Sequence, residues 1–302
     1  MSKNASLILK SLISLILLYL ILEKLGIEQL ISRLSDGKLE YLLYGILLGL
    51  VCNLIKLYKW TYLVDGTLIC SFWDGLRSYT IGNTLGLITP LRVGELGRAL
   101  YFDKRYYSRI AGLTIFDRAL DVAAVLILSV LGAFFFFGTK IGIVTILLNA
   151  ALIISLYNIK KIWHILKNFV PNKYQKIRLI ELLSSVDHLS VFHISIFLLF
   201  SLLAFSISII ELYFLILAFE IVSFKAVVLS IPLMSLSNIL PISIMGLGVR
   251  EGVAFYLLAK FSVTGCASVS ASLLSFFINN LLLGIIGILF IPKITFANRD
   301  NV

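Results

Sequence analysis

The chain has 302 residues, is 60% hydrophobic and only 14% charged, and carries a formal net charge of +10. Soluble domains lie near about 45–50% apolar and about 25% charged. A water-soluble globule of this composition would expose too much apolar surface. Disordered, collagen-like and disulfide-scaffold classes are excluded by the same figures, and no long polar stretch could house a large soluble catalytic domain. The fold class expected is all-α, a polytopic membrane helical bundle. In a soluble protein the basic excess would point to nucleic acid. Here the Lys and Arg fall mostly between apolar runs, where they set topology, so no nucleic-acid partner is expected.

Taken in chain order, the first apolar run covers residues 7–25, close to the length a spanning helix needs. Glu23-Lys24-Leu25-Gly26 offers no small-x-small cleavage site, so the run reads as an uncleaved anchor. Further spans are expected at about 41–59, 112–137, 141–157, 191–219 and 267–291. Two apolar stretches remain, 72–90 and 224–244, and each runs into a Gly/Pro-broken, charge-bearing segment. The first holds Pro90-Leu91-Arg92-Val93-Gly94-Glu95-Leu96-Gly97-Arg98. The second holds Asn238-Ile239-Leu240-Pro241 and then Gly246-Leu247-Gly248-Val249-Arg250-Glu251-Gly252.

Charges orient the spans. The 158–190 loop carries Lys160, Lys161, Lys167, Lys173, Lys176 and Arg178 against Glu181 and Asp187, so it is expected to be cytoplasmic. Lys56 and Lys59 then end the second span on the inside, and Lys104, Arg105 and Arg109 lie inside as well. The 72–90 stretch must return to the side it left, as a re-entrant hairpin. The same logic makes 224–260 re-entrant from the outside and puts both termini in the cytoplasm. The expectation is about six full spans plus two re-entrant segments in one membrane domain; eight full spans is the alternative. The two broken segments align at a shift of 156 residues, Glu95 on Glu251. Opening from opposite faces would make an inverted repeat, 41–137 and 191–291, around the basic loop.

Non-helical backbone at membrane depth must be buried in protein or line a watery cavity. Gly94, Gly97, Gly246 and Gly248 would let the chain turn sharply and free amide N–H groups for anions. Arg92 and Arg250 stand beside these turns, and the guanidinium fork suits phosphate. Snorkelling arginines and packing glycines are the plainer reading. Glu95 and Glu251 fit a first helical turn, and Glu95 with Arg98 lies at i,i+3. Asp117, Arg118 and Asp121 open the third span, where charge is costly and turns inward. An internal ion pair is one reading of them and a substrate or coupling role another. Glu211 is expected to find a partner within the bundle, and Asn279 and Asn280, with Ser270, Ser272 and Ser275, to bridge helices. Trp60 and Trp73 suit an aromatic belt. Cys52, Cys70 and Cys266 are far apart, and the histidines show no ligand spacing, so neither a disulfide nor a metal is expected.

At the Pro90–Arg98 and Pro241–Gly252 segments the sequence resembles the flippase-like family known as the lysylphosphatidylglycerol synthase transmembrane region. Arg118 and Asp121 fall where that family places an Arg and an Asp. The resemblance runs from about residue 7 to 292, and Gly246-x-Gly248-x-Arg250-Glu251 is its most specific part. Leu91 and Met245 depart from glycines common in the family. The resemblance implies a lipid translocator for an anionic or zwitterionic headgroup, with membrane lipids as partners. A homo-oligomer or a separate lipid-synthesising enzyme are further partners it leaves open. It argues against synthase activity, because the soluble aminoacyl-transferase domain of fused members has no room here, so an enzyme is the less favoured class. No catalytic residue and no cofactor are expected. The substrate-binding set expected is Arg92, Gly94, Glu95, Arg98, Asp117, Arg118, Asp121, Asn238, Gly246, Gly248, Arg250 and Glu251. A membrane-embedded transferase on a polyprenyl phosphate, with Asp117 or Glu95 as base, and a non-catalytic membrane subunit are the alternatives.

Overall fold

The computed structural model describes residues 37–87, 89–159, 161–162, 182, 185–187, 189–238 and 246–291. The expected first span and most of the 158–190 basic loop lie outside the described residues. Among the described residues every regular element is helical. Helix α1 is Leu39–Asp65, α2 is Phe72–Leu87, and a 3₁₀ segment Pro90–Tyr101 follows. Then come α3 Tyr107–Tyr157, α4 Val191–Leu217, α5 Phe224–Ser237, α6 Val249–Ala259 and α7 Gly265–Phe276. A π turn at Phe277–Leu281 joins α7 to α8, Leu282–Ile288. By length and composition four of the described helical runs can cross a membrane: α1, α3, α4 and the Gly265–Ile288 run.

The third and fourth expected spans form one helical run with a reversal. Gly138 has φ 80° and ψ −179° inside α3, a conformation L side chains avoid. A Cβ on Gly142 would press on the Phe134 ring, so the two limbs lie back to back beyond the reversal. Leu156 at the end of the second limb joins the same apolar cluster as Ile110, Leu113 and Phe116 at the start of the first. The second span is longer than expected. α1 runs on to Asp65, and Lys59 is 2% exposed inside the bundle. Trp60 is wholly buried, not in an interfacial belt.

Among the described residues neither broken stretch holds a helix long enough to cross. The 16 residues of α2 rise about 24 Å and the 14 of α5 about 21 Å, short of a hydrocarbon core of about 30 Å. α2 and the 3₁₀ segment fold back on each other as a hairpin. Ser78 Oγ donates to the Arg98 carbonyl at 3.0 Å, and at the open end Tyr101 Oη donates to Asp74 Oδ1 at 2.6 Å. The approach is close because α2 presents Gly82 and Gly86 to Arg98 and Glu95. Its Thr80 and Thr84 hydroxyls bond back to carbonyls one turn earlier, so they add no unpaired donors. α5 and α6 form the second hairpin. Lys225 and Lys260, at its two open ends, lie over Phe135 and Phe136 of α3 at 5.9 and 5.2 Å from the ring centroids.

These contacts fix the hairpins relative to each other. The first opens at the Tyr107 end of α3, within an apolar cluster that includes Leu57, Leu63, Tyr79, Ile110 and Phe197. The second opens at the Phe135 end, within a cluster that includes Ile209, Leu215, Val227, Leu258 and Ala271. The closed ends of both point to the middle of the bundle, between the two cores.

Candidate functional site

Between the two cores lies a cavity of about 430 Å³. Its wall takes Lys56 from α1, Arg92 and Glu95 from the first hairpin, and Arg118 and Asp121 from α3. Asn238 and Arg250 come from the second hairpin, and Asn279 and Asn280 from the π turn. Val93, Ile115, Val122, Phe205 and Met234 add apolar wall.

One side is a chain of ion pairs. Lys59 Nζ lies 2.7 Å from Asp117 Oδ1 and 2.6 Å from Asp121 Oδ1, and donates to Ser201 Oγ at 2.9 Å. Arg98 Nη1 donates to Asp117 Oδ2 at 2.9 Å. Its guanidinium is stacked between the rings of Trp60 and Tyr79, at 4.4 and 4.5 Å from their centroids. Glu95 receives three arginines: Arg92 Nε at 2.6 Å, Arg118 Nε, and Arg98 Nη2 at 3.8 Å. Arg118 Nη1 reaches Asp121 Oδ2 at 3.4 Å. Lys59, Arg92, Arg98 and Arg118 thus face Glu95, Asp117 and Asp121, which leaves the chain net cationic. Buried charges persist where each has a partner, and here the partners come from α1, the first hairpin, α3 and α4.

The other side is smaller and closed. Arg250 donates from Nε to Ser272 Oγ at 3.0 Å and from Nη2 to Glu251 Oε1 at 2.8 Å. Glu251 Oε2 accepts the Gly248 N–H at 2.7 Å, capping α6. Asn238 places a buried Oδ1 against Gly246, with no donor among the described residues.

The structure brings together eight of the expected residues on or beside one cavity: Arg92, Glu95, Arg98, Asp117, Arg118, Asp121, Asn238 and Arg250. The glycines divide. Gly246 and Gly248 have φ +75° and +81°, as turn glycines should. Gly94 and Gly97 do not turn the first hairpin. They let it pack, since a Cβ on either would overlap the Leu85 carbonyl or side chain. The left-handed residue there is Arg92 itself, at φ +55°. The Gly248 and Gly94 amides are not free for anions either. Gly248 N–H serves Glu251, and Gly94 N–H donates to Thr89 Oγ1 at 2.7 Å.

Sequence reasoning missed Lys59, read as a span-ending lysine, although its position one turn beyond Lys56 inside an apolar run was a signal. It also missed Asn83 and Ser201, which carry no charge to betray them, whereas Ser272, expected to bridge helices, does so by accepting from Arg250. Asn280 accepts from Arg92 Nη2 at 2.9 Å. Asn279 donates to both oxygens of buried Glu211 at 2.7 and 2.9 Å, the bundle partner expected for that carboxylate. Cys52 and Cys70 are buried, Cys266 partly so, and no disulfide joins them.

A search of curated proteins finds no match to the chain. A family model does match: the lysylphosphatidylglycerol synthase TM region aligns with residues 7–287. That span covers both hairpins, the ion-pair chain and the cavity between them. The chain is an integral membrane protein belonging to the lysylphosphatidylglycerol synthase TM-region family.

Proposed function

We propose that the protein moves lipids with a phosphate-bearing, net anionic headgroup across the bilayer, and that the headgroup occupies the central cavity. The observation that carries this reading is the charge of the wall: Lys56, Arg92, Arg118 and Arg250 against Glu95 and Asp121. A cavity at mid-bundle with low-dielectric walls and excess positive charge concentrates anions. Arg92 and Arg118 are partly exposed to it, with side chains 26% and 32% accessible. The half-exposed Val93 and Ile115 also line it and give an apolar flank along which acyl chains can lie. The hairpins opening toward opposite ends give two gates, one above and one below the site. We further propose that they form an inverted repeat, the first opening to the cytoplasm, with both termini on that side.

The test is transbilayer movement of fluorescent phosphatidylglycerol in vesicles reconstituted with the purified protein. The expected result is acceleration over protein-free vesicles, slowed at least tenfold by Arg118→Gln and less pronounced for a zwitterionic phosphatidylcholine probe. No acceleration with phosphatidylglycerol, phosphatidate or a polyprenyl phosphate overturns the reading.

A further inference from the structure

We propose that Glu95 is a tethered internal anion standing where the headgroup phosphate binds, and that the phosphate displaces it from Arg92 and Arg118. The inference rests on the reading of the cavity as an anionic-headgroup site and adds how that site is kept closed when empty. Three arginine side chains converge on one carboxylate that is 2% exposed. The contacts are close but poorly aimed. Both Glu95 oxygens, Nε of Arg92 and Arg118, and Nη2 of Arg98 have no hydrogen-bond partner of adequate angle among the described residues. The acceptor sites of a carboxylate all lie in one plane, and here none of the three guanidinium groups meets them at a hydrogen-bonding angle. A tetrahedral phosphate presents oxygens in three dimensions, and bidentate Arg–phosphate pairing is among the stronger polar contacts.

The displaced carboxylate has a place to go. Arg98 is wholly buried, held by Asp117 and two aromatic rings, and its Nη2 already lies 3.8 Å from Glu95 Oε2. Arg98 is the fixed member, and Arg92 and Arg118, which reach the cavity, are the ones that exchange partners. Arg92 is further marked by its left-handed backbone, a conformation that persists only where surrounding contacts hold it. Those contacts are Asn83, Asn280 and Glu95 itself. The second hairpin provides the contrast. Both Glu251 oxygens there accept well-aimed hydrogen bonds, and Arg250 donates to Glu251 and Ser272. Glu251 is locked where Glu95 is loosely held, so the exchange belongs to the first hairpin.

Titration calorimetry on the full chain in detergent, with inorganic phosphate and with dihexanoyl phosphatidic acid as probes, tests this. Removing an internal competitor must strengthen binding, so affinity should rise in the order wild type, Glu95→Asp, Glu95→Gln, with at least a tenfold gain for Glu95→Gln. Adding Arg118→Gln to Glu95→Gln should cancel the gain. A gain with both probes assigns recognition to the phosphate group alone, and a gain only with the short-chain lipid assigns it to the lipid; either supports displacement. Equal or weaker binding by a folded Glu95→Gln overturns it. Should that variant not fold, equal or weaker binding by Glu95→Asp does the same. Absence of binding by every variant overturns displacement and headgroup site together. Lipid movement in vesicles separates the two claims. Transport with unchanged Glu95→Gln affinity removes only the displacement, and tighter binding without any transport removes only the translocator.

Discussion

Single residues carry the cost of charge inside this bundle. Lys59 is the shared counterion of Asp117 and Asp121, and no described lysine or arginine other than Arg98 and Arg118 contacts either carboxylate. Removing one member of a buried pair strands its partner, at a cost of about 3–5 kcal/mol. Lys59→Ala should therefore destabilise the protein by about that amount, and thermal unfolding in detergent measures it. Lys59→Ala combined with Asp121→Ala should cost less than the two changes added, because both act on one interaction. Arg92, Glu95, Arg98, Asp117, Arg118 and Asp121 were legible in the sequence because charge in an apolar run demands a reason. Lys59 was not, because a lysine near the end of a span is ordinary. The assignment of the left-handed turn to Gly94 failed for a related reason. Glycine permits both turning and close packing, and sequence alone does not say which one a given glycine serves.

At the scale of elements, the first hairpin depends on contact without side chains. Gly94 sits on the Leu85 carbonyl, and Gly287 of α8 sits on the Thr80 carbonyl. Overpacking such contacts costs about 1–3 kcal/mol. Gly94→Ala and Gly287→Ala should each lower stability within that range and raise detergent sensitivity, while Gly138→Ala should act through backbone conformation alone, since nothing lies within 4 Å of its missing Cβ. Unfolding midpoints of the three variants check the contrast. The two short broken stretches were readable from length and from their Gly/Pro interruptions. The long 3₁₀ form of the return limb was not, because propensity gives no warning of a 12-residue run in a state usually confined to three or four.

On the scale of the whole molecule, two apolar cores at opposite ends bracket a charged middle. Ile69 precedes the first hairpin and Ile221 the second, and both are strongly exposed. In a background with Cys52, Cys70 and Cys266 replaced, Ile69→Cys and Ile221→Cys should react with a membrane-impermeant maleimide from opposite sides of sealed vesicles, Ile69→Cys from the cytoplasmic one. Labelling of both from one side would defeat the inverted arrangement. This orientation is the one expected from the basic 158–190 loop. The convergence of the two closed ends on one cavity was not readable, because it depends on how deep each hairpin reaches.

The π turn at Phe277–Leu281 holds one residue more than an ordinary helix would need there. That extra residue is already absorbed by the wide turn, so inserting a second one before Phe277 would rotate everything downstream by about 100°. Gly284 and Gly287 would swing off α2, Thr84 would lose the Gly284 carbonyl it now reaches at 2.6 Å, and Asn280 would leave Arg92. A substitution in this stretch changes one contact, whereas a one-codon gain shifts the phase of a whole helix end, so the segment should tolerate point changes far better than added length.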